Sequence, residues 1–142
     1  HAALGFSQLA KLDGFIARRR EIAAYYDSAF SGLDAVSVPQ NAPELRRRSA
    51  LHLYLVRIGW RAAETDRTSF MKALADRGIG TQVHYIPVYR HPVHRDLCAD
   101  AAREFPEAEA YYAECLTLPL HQGMRDEDAQ RVATAVRELL GA

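Results

Sequence analysis

The sequence predicts an α+β fold: a small, mainly antiparallel sheet with helices on one face, led by a long N-terminal helix. Three observations predict it. Helical and strand patterns succeed one another as helix, strand, strand, helix, strand, helix, strand, helix. The strongest strand, His52–Ile58, is β-rich and apolar on both faces, which places it at the centre of a sheet. The 142 residues show no internal repeat, low-complexity tract or second domain, so they amount to one core.

Each element follows from local signals. From Ala2 to Ser31, Gly5, Leu9, Leu12, Ile16, Ala23, Tyr26 and Phe30 keep helical spacing, and Arg18–Glu21 fall on the wet side. Gly32 is the expected left-handed terminator. A helix of that length runs about 45 Å, more than so small a domain needs internally. A kink near Gly14 would split it into two ordinary helices. Ala35–Val38, stopped by Pro39, is a short edge strand, and Gln40–Ser49 is a loop whose Arg46, Arg47 and Arg48 are solvated. Thr65 or Asp66 caps a helix through Arg77, built on Phe70, Met71 and Leu74 and ended by Gly78.

Ile79–Tyr85 is the next expected strand. Pro87 and Pro92 then impose irregular backbone, since each removes a ladder donor and biases its predecessor to extended geometry. Pro106 opens a helix through Glu114. Leu116–Leu118 is a short strand stopped by Pro119. Asp126 caps a last helix with Ala129, Val132, Val136, Leu139 and Leu140 on its apolar face, and Gly141 ends it.

Composition narrows the function classes. A formal net charge of zero offers no field for nucleic acid or an anionic membrane. Cys98 and Cys115 form no metal or redox motif, and Cys115 reads as a small buried hydrophobe. No apolar run reaches a membrane span and no signal peptide is visible, so the expected setting is cytoplasmic. His1-Ala2-Ala3-Leu4 already lies in a helical pattern with neither Met nor cap ahead of it. The chain is therefore expected to be a fragment from the C-terminal side of a larger protein.

The chemistry concentrates in Gly78–Arg90, where an imidazole, two phenols and a guanidinium follow a glycine pair. His84, Tyr85, Tyr89 and Arg90 suit a polar, oxygen-rich ligand. Irregular backbone with clustered polar aromatics favours a binding loop on a rigid scaffold. The competing reading makes Val83, Tyr85 and Ile86 core strand residues and His84 an edge polar group, and residues alone divide the two evenly. His84, His91 and His94 fall within eleven residues, but Pro92 interrupts them and no carboxylate or thiolate completes a zinc set. His52 and His121 read as packing or turn residues. Gly78-Ile79-Gly80 follows a helix and opens a strand, the reverse of a dinucleotide-binding turn.

Four segments recur in order and rough spacing: Ala2–Leu9, Leu51–Tyr54, Gly78–Tyr85 and Leu116–Leu120. Together they make the chain resemble the C-terminal part of the DegT/DnrJ-type sugar aminotransferases, pyridoxal-phosphate enzymes of the aspartate-aminotransferase fold. His84–Tyr89 is most similar to the branch acting on UDP-linked 4-keto-6-deoxy-N-acetylhexosamines, as in pseudaminic acid biosynthesis. The resemblance implies a homodimeric enzyme that aminates a 4-keto sugar nucleotide with glutamate as donor. It places His84 and Tyr85 on the substrate side, with Tyr89 and Arg90 as further contacts to sugar or diphosphate.

The reaction needs a lysine to hold pyridoxal phosphate and an aspartate on its pyridine nitrogen. In the family both precede the stretch this chain resembles, and neither Lys11 nor Lys72 matches the active-site context. Residues 1–142 are thus expected to be the small domain alone, with no catalytic, cofactor-binding or metal residue, and inactive by themselves. Apolar Leu4, Leu9 and Leu12 should promote self-association. The rival readings are a stand-alone, non-catalytic interaction module and a metal-binding protein using His84, His91 and His94.

Overall fold

Tyr26 marks the centre of the core. In the computed structural model, which describes residues 1–39, 42–97 and 100–142, its ring packs 4.9 Å from that of Tyr54 and 5.7 Å from that of Phe30. Helix α2 (Leu12–Phe30) delivers Ile22, Ala23, Tyr26 and Phe30 as one buried stripe. The shorter α1 (Ala2–Leu9) precedes it and buries no residue, leaving Leu4, Phe6 and Leu9 exposed. The single helix expected from Ala2 to Ser31 is therefore two. The break falls at Ala10–Lys11, ahead of Gly14, where the Lys11 amide turns back to the Gln8 carbonyl at 3.0 Å, a three-residue step that tightens the last turn of α1.

The sheet is antiparallel throughout, in the order β1 (Val36–Ser37), β2 (Tyr54–Ile58), β3 (Cys115–Leu118). β2 is central, as its two apolar faces predict, although it begins at Tyr54 rather than His52. Val36 stands opposite Ile58, Tyr54 opposite Leu118, and Leu55 opposite Thr117. Side chains alternate across a strand. Tyr54, Val56, Ile58, Leu116 and Leu118 therefore meet a helical layer made of α2, α4 (Arg67–Asp76) and α7 (Asp126–Leu139). Leu55, Arg57, Cys115 and Thr117 face the other way. On that side Arg57 meets Glu114 of α6 (Pro106–Glu114) at 2.7 Å, and the Trp60 indole donates to the Ala113 carbonyl at 2.8 Å.

The caps follow the chemistry of the residues. Asp66 accepts from the Ser69 amide at 3.0 Å and starts α4, while Gly78, with φ of +73°, stops it. Pro106 takes the first turn of α6. At α7 the cap position belongs to Arg125 rather than Asp126: the Asp128 carboxylate reaches back to the Arg125 amide at 3.0 Å, and Asp126 instead binds Arg18 at 2.7 Å.

Gln40–Ser49 is not wholly loop. Pro43–Arg48 forms the short helix α3; Gln40 and Asn41 lie outside the described residues. Nor is the arginine triplet uniformly solvated. Arg46 is 17% exposed and grips both Asp27 oxygens, at 2.5 and 2.8 Å. Asp27 also accepts from the buried Tyr54 hydroxyl at 2.8 Å, so one carboxylate joins α2, α3 and β2. Burial, and then that carboxylate, holds the Tyr54 phenol far above its ordinary range. Burial likewise pushes the Cys115 thiol up, which suits an inert packing residue. Cys98 lies outside the described residues. Among the described residues no helix is long and apolar enough to cross a membrane.

Candidate functional site

The segment after α4 runs along the outer edge of β3 without becoming a strand. Two backbone bonds pair Gln82 with Thr117, at 2.8 and 3.2 Å, and this single bridge replaces the expected strand Ile79–Tyr85. The segment's start explains why. Ile79, 2% exposed, is drawn back to α4 by its amide bond to the Leu74 carbonyl, so only Gln82 comes into register with β3. Gly78 and Gly80 border a separate groove of about 420 Å³ with Pro119, His121 and Met124, away from the polar cluster further along.

His84 sits beyond the bridge. Its Nδ1 lies 2.8 Å from the Thr117 hydroxyl, and the Tyr85 ring meets its ring edge-on at 4.5 Å and 88°. His84 is half-buried, whereas Tyr85 is 70% exposed and is followed by exposed Ile86 and Val88. The core-strand reading of this stretch is not met. Tyr85 and Ile86 are exposed and are not core strand residues, whereas His84 is a polar group at the sheet edge, held by Thr117.

Tyr89 and Arg90 belong to a second cluster. After Pro87 the chain makes tight turns over Val88–Arg90 and Pro92–Leu97, then the four-residue α5 (Ala101–Glu104). The Tyr89 hydroxyl donates to Glu109 of α6 at 2.8 Å, and the Arg90 guanidinium forks onto both oxygens of the same carboxylate. Tyr89 stacks on Phe105 at 4.8 Å, and Tyr112 takes the guanidinium of Arg90 on its ring at 5.0 Å and that of Arg67 at 4.9 Å. The four candidates thus separate into His84 with Tyr85 near β3, and Tyr89 with Arg90 clamped to α6. Arg90 remains 45% exposed.

This clamp has a pH signature. The Arg90 guanidinium first, and the Tyr89 hydroxyl second, hold the Glu109 carboxyl below the usual carboxylate range. A depressed folded value means the clamp stabilises fully above the ordinary value, about 4.3, and is lost as pH falls through the lower folded one. Arg90→Gln is expected to move the Glu109 titration, followed by carboxyl-carbon NMR, back toward the ordinary value. An unmoved midpoint would remove Arg90 as the main cause.

Glu109 and Thr117 escaped sequence reasoning. Thr117 carried a signal, since a lone hydroxyl among Cys115, Leu116 and Leu118 needs a partner once buried. Glu109 carried none, being one of several acids on a helix. Among the described residues no group of three or more His, Cys, Asp or Glu is placed to hold a metal ion, so His84, His91 and His94 do not converge. Both lysines lie at the surface of this domain. Lys11 is exposed at the break between α1 and α2, and Lys72 is 73% exposed with its amine on Asp76 at 2.6 Å.

The profile of the DegT/DnrJ/EryC1/StrS aminotransferase family matches residues 1–137. The chain belongs to this family. The Bacillus subtilis spore coat polysaccharide biosynthesis protein SpsC is 38% identical over 140 residues, 98% of this chain and 36% of SpsC. The aminotransferase TlmJ from Streptoalloteichus hindustanus superposes with a TM-score of 0.82 at 32% identity, over 99% of this chain and 36% of TlmJ. Helicobacter pylori PseC, an aminotransferase involved in the biosynthesis of pseudoaminic acid, gives 0.85 at 29% identity, over 98% and 36%. The chain therefore spans about a third of the length of these relatives. The small antiparallel sheet with its helical layer is the DegT/DnrJ/EryC1/StrS fold over that third.

Proposed function

We propose that this chain is the C-terminal, substrate-facing domain of a pyridoxal-phosphate-dependent aminotransferase acting on a sugar nucleotide. The substrate is a UDP-linked 4-keto-6-deoxy sugar and glutamate is the amino donor. The observation that carries this reading is the family match along residues 1–137. The roles of SpsC and PseC, in polysaccharide and pseudoaminic acid biosynthesis, support the sugar class.

Within that reading the chain's own groups bind and orient; they do not react. His84 and Tyr85 turn polar edges toward the sugar. Tyr89 and Arg90 are outer contacts to sugar or diphosphate, with Glu109 fixing the direction of the guanidinium. The fork of an arginine suits a phosphate oxygen pair, and the edge of Arg90 not held by Glu109 is the part available to it. The reacting lysine and the cofactor belong to the rest of a homodimeric enzyme.

The division of labour has a direct test. Mixed with pyridoxal phosphate, the 142-residue chain is expected to show no lysine-linked absorbance band and no amino transfer from glutamate to a UDP-4-keto sugar. A clear lysine-linked spectrum would contradict it.

A further inference from the structure

We propose that Thr117 sets the proton position on the His84 ring. Its hydroxyl donates to Nδ1, so the neutral imidazole carries its proton on Nε2 and offers an outward N–H to an acceptor oxygen of the ligand. Thr117 is here a positioning residue acting through His84. Only the identity of the ligand rests on the function proposed above.

The argument starts from burial. Thr117 is buried, at 6% exposure. Its backbone amide and carbonyl are both taken by Gln82. Its hydroxyl has one partner among the described residues, His84 Nδ1 at 2.8 Å. A hydroxyl always carries a proton that needs an acceptor, and a buried donor left without one costs about 1–3 kcal/mol. Were Nδ1 to carry the ring proton and donate to the oxygen, the hydroxyl proton would be left without an acceptor. The arrangement that pairs every buried donor has the hydroxyl donating and Nδ1 accepting.

The rest of the geometry keeps that state and points it outward. The Gln82–Thr117 bridge holds the segment two residues before His84, and the Tyr85 ring stands edge-on against the imidazole at 4.5 Å, restricting ring rotation. Nε2 has no protein partner among the described residues, and the flanking Tyr85 is exposed. An Nε2–H donor suits a phosphate oxygen, a sugar hydroxyl or a carbonyl oxygen. It does not suit proton abstraction, which would need an unprotonated Nε2.

The test is long-range nitrogen–proton NMR on the chain labelled at histidine, without ligand, at a pH where His84 is neutral. The expected spectrum shows His84 with the proton on Nε2. Thr117→Ser keeps that pattern, and Thr117→Val, which preserves shape but removes the hydroxyl, gives mixed tautomers. A proton on Nδ1 in the parent chain, or a Thr117→Val spectrum identical to the parent's, would overturn the proposal. Should Thr117→Val unfold in a thermal scan, Thr117→Ala, which also removes the hydroxyl, is read in its place, and a spectrum identical to the parent's overturns the proposal. Because no ligand enters the measurement, its failure leaves the substrate-facing role standing. That role fails separately, if His84 variants leave turnover intact.

Discussion

Truncating Tyr26 to alanine is expected to destabilise the domain by about 3–5 kcal/mol, the cost of deleting a fully buried aromatic ring. The side chain is 0% exposed and joins its own helix to the central strand and to the segment after β3. Its ring packs on Phe30 of the same helix and on Tyr54 of the central strand, and its hydroxyl donates to the Pro119 carbonyl beyond β3 at 3.0 Å. Burial holds that phenol far above its ordinary range, so it remains a neutral donor at every working pH. Tyr26→Phe separates the two contributions. It keeps the ring, loses the bond to Pro119, and is expected to cost only about 1 kcal/mol. A domain of this size has about 5–15 kcal/mol in all, so the alanine variant should lose much of its stability in chemical denaturation. Equal effects of the two variants would mean that the hydroxyl, and not the ring, holds α2 to the sheet.

The parts of this fold that were legible in sequence are those decided by neighbours along the chain. The stripe Ala23, Tyr26 and Phe30, the central strand ending at Ile58, the Asp66 cap and the Pro106 start all rest on short-range rules, and they stand in the structure. The parts that were not legible depend on partners far away. Arg46 looks solvated until α3 brings it to Asp27, nineteen positions earlier. Ile79–Tyr85 has strand composition, yet the bond from Ile79 back to Leu74 lets only Gln82 meet β3. The helix break at Ala10–Lys11 has no glycine or proline to announce it, and α1 has no buried contact that would hold the two pieces straight.

The candidate site shows the same division. His84, Tyr85, Tyr89 and Arg90 were marked by residue type in one short stretch. Their sorting into two clusters follows from Thr117 and Glu109, partners that lie 33 and 19 positions from the residues they hold. The helical layer takes one face of the sheet, and the polar partners of the segment come from the other face of β3 and from α6. This arrangement gives the loop a rigid support without making it part of the core.

The central claim is that His84 and Tyr85 serve the ligand more than the fold. In the full-length protein carrying this domain, His84→Ala is expected to lower kcat/KM for the sugar nucleotide roughly 10–100-fold, the loss of a hydrogen bond to a charged or strongly polar oxygen worth about 1.5–3 kcal/mol. Tyr85→Phe should weaken turnover less, because a single exposed hydroxyl is removed and the edge-on contact with His84 survives. Stability should change little in either variant. Tyr85 is 70% exposed, and removing the half-buried His84 ring opens the Thr117 hydroxyl to water. The decisive measurement is kcat/KM for the sugar nucleotide set beside the unfolding midpoint of His84→Ala. A large loss of turnover with a nearly unchanged midpoint is the predicted result. A lowered midpoint with turnover per folded molecule intact would contradict it, and would return His84 to the role of a packing residue.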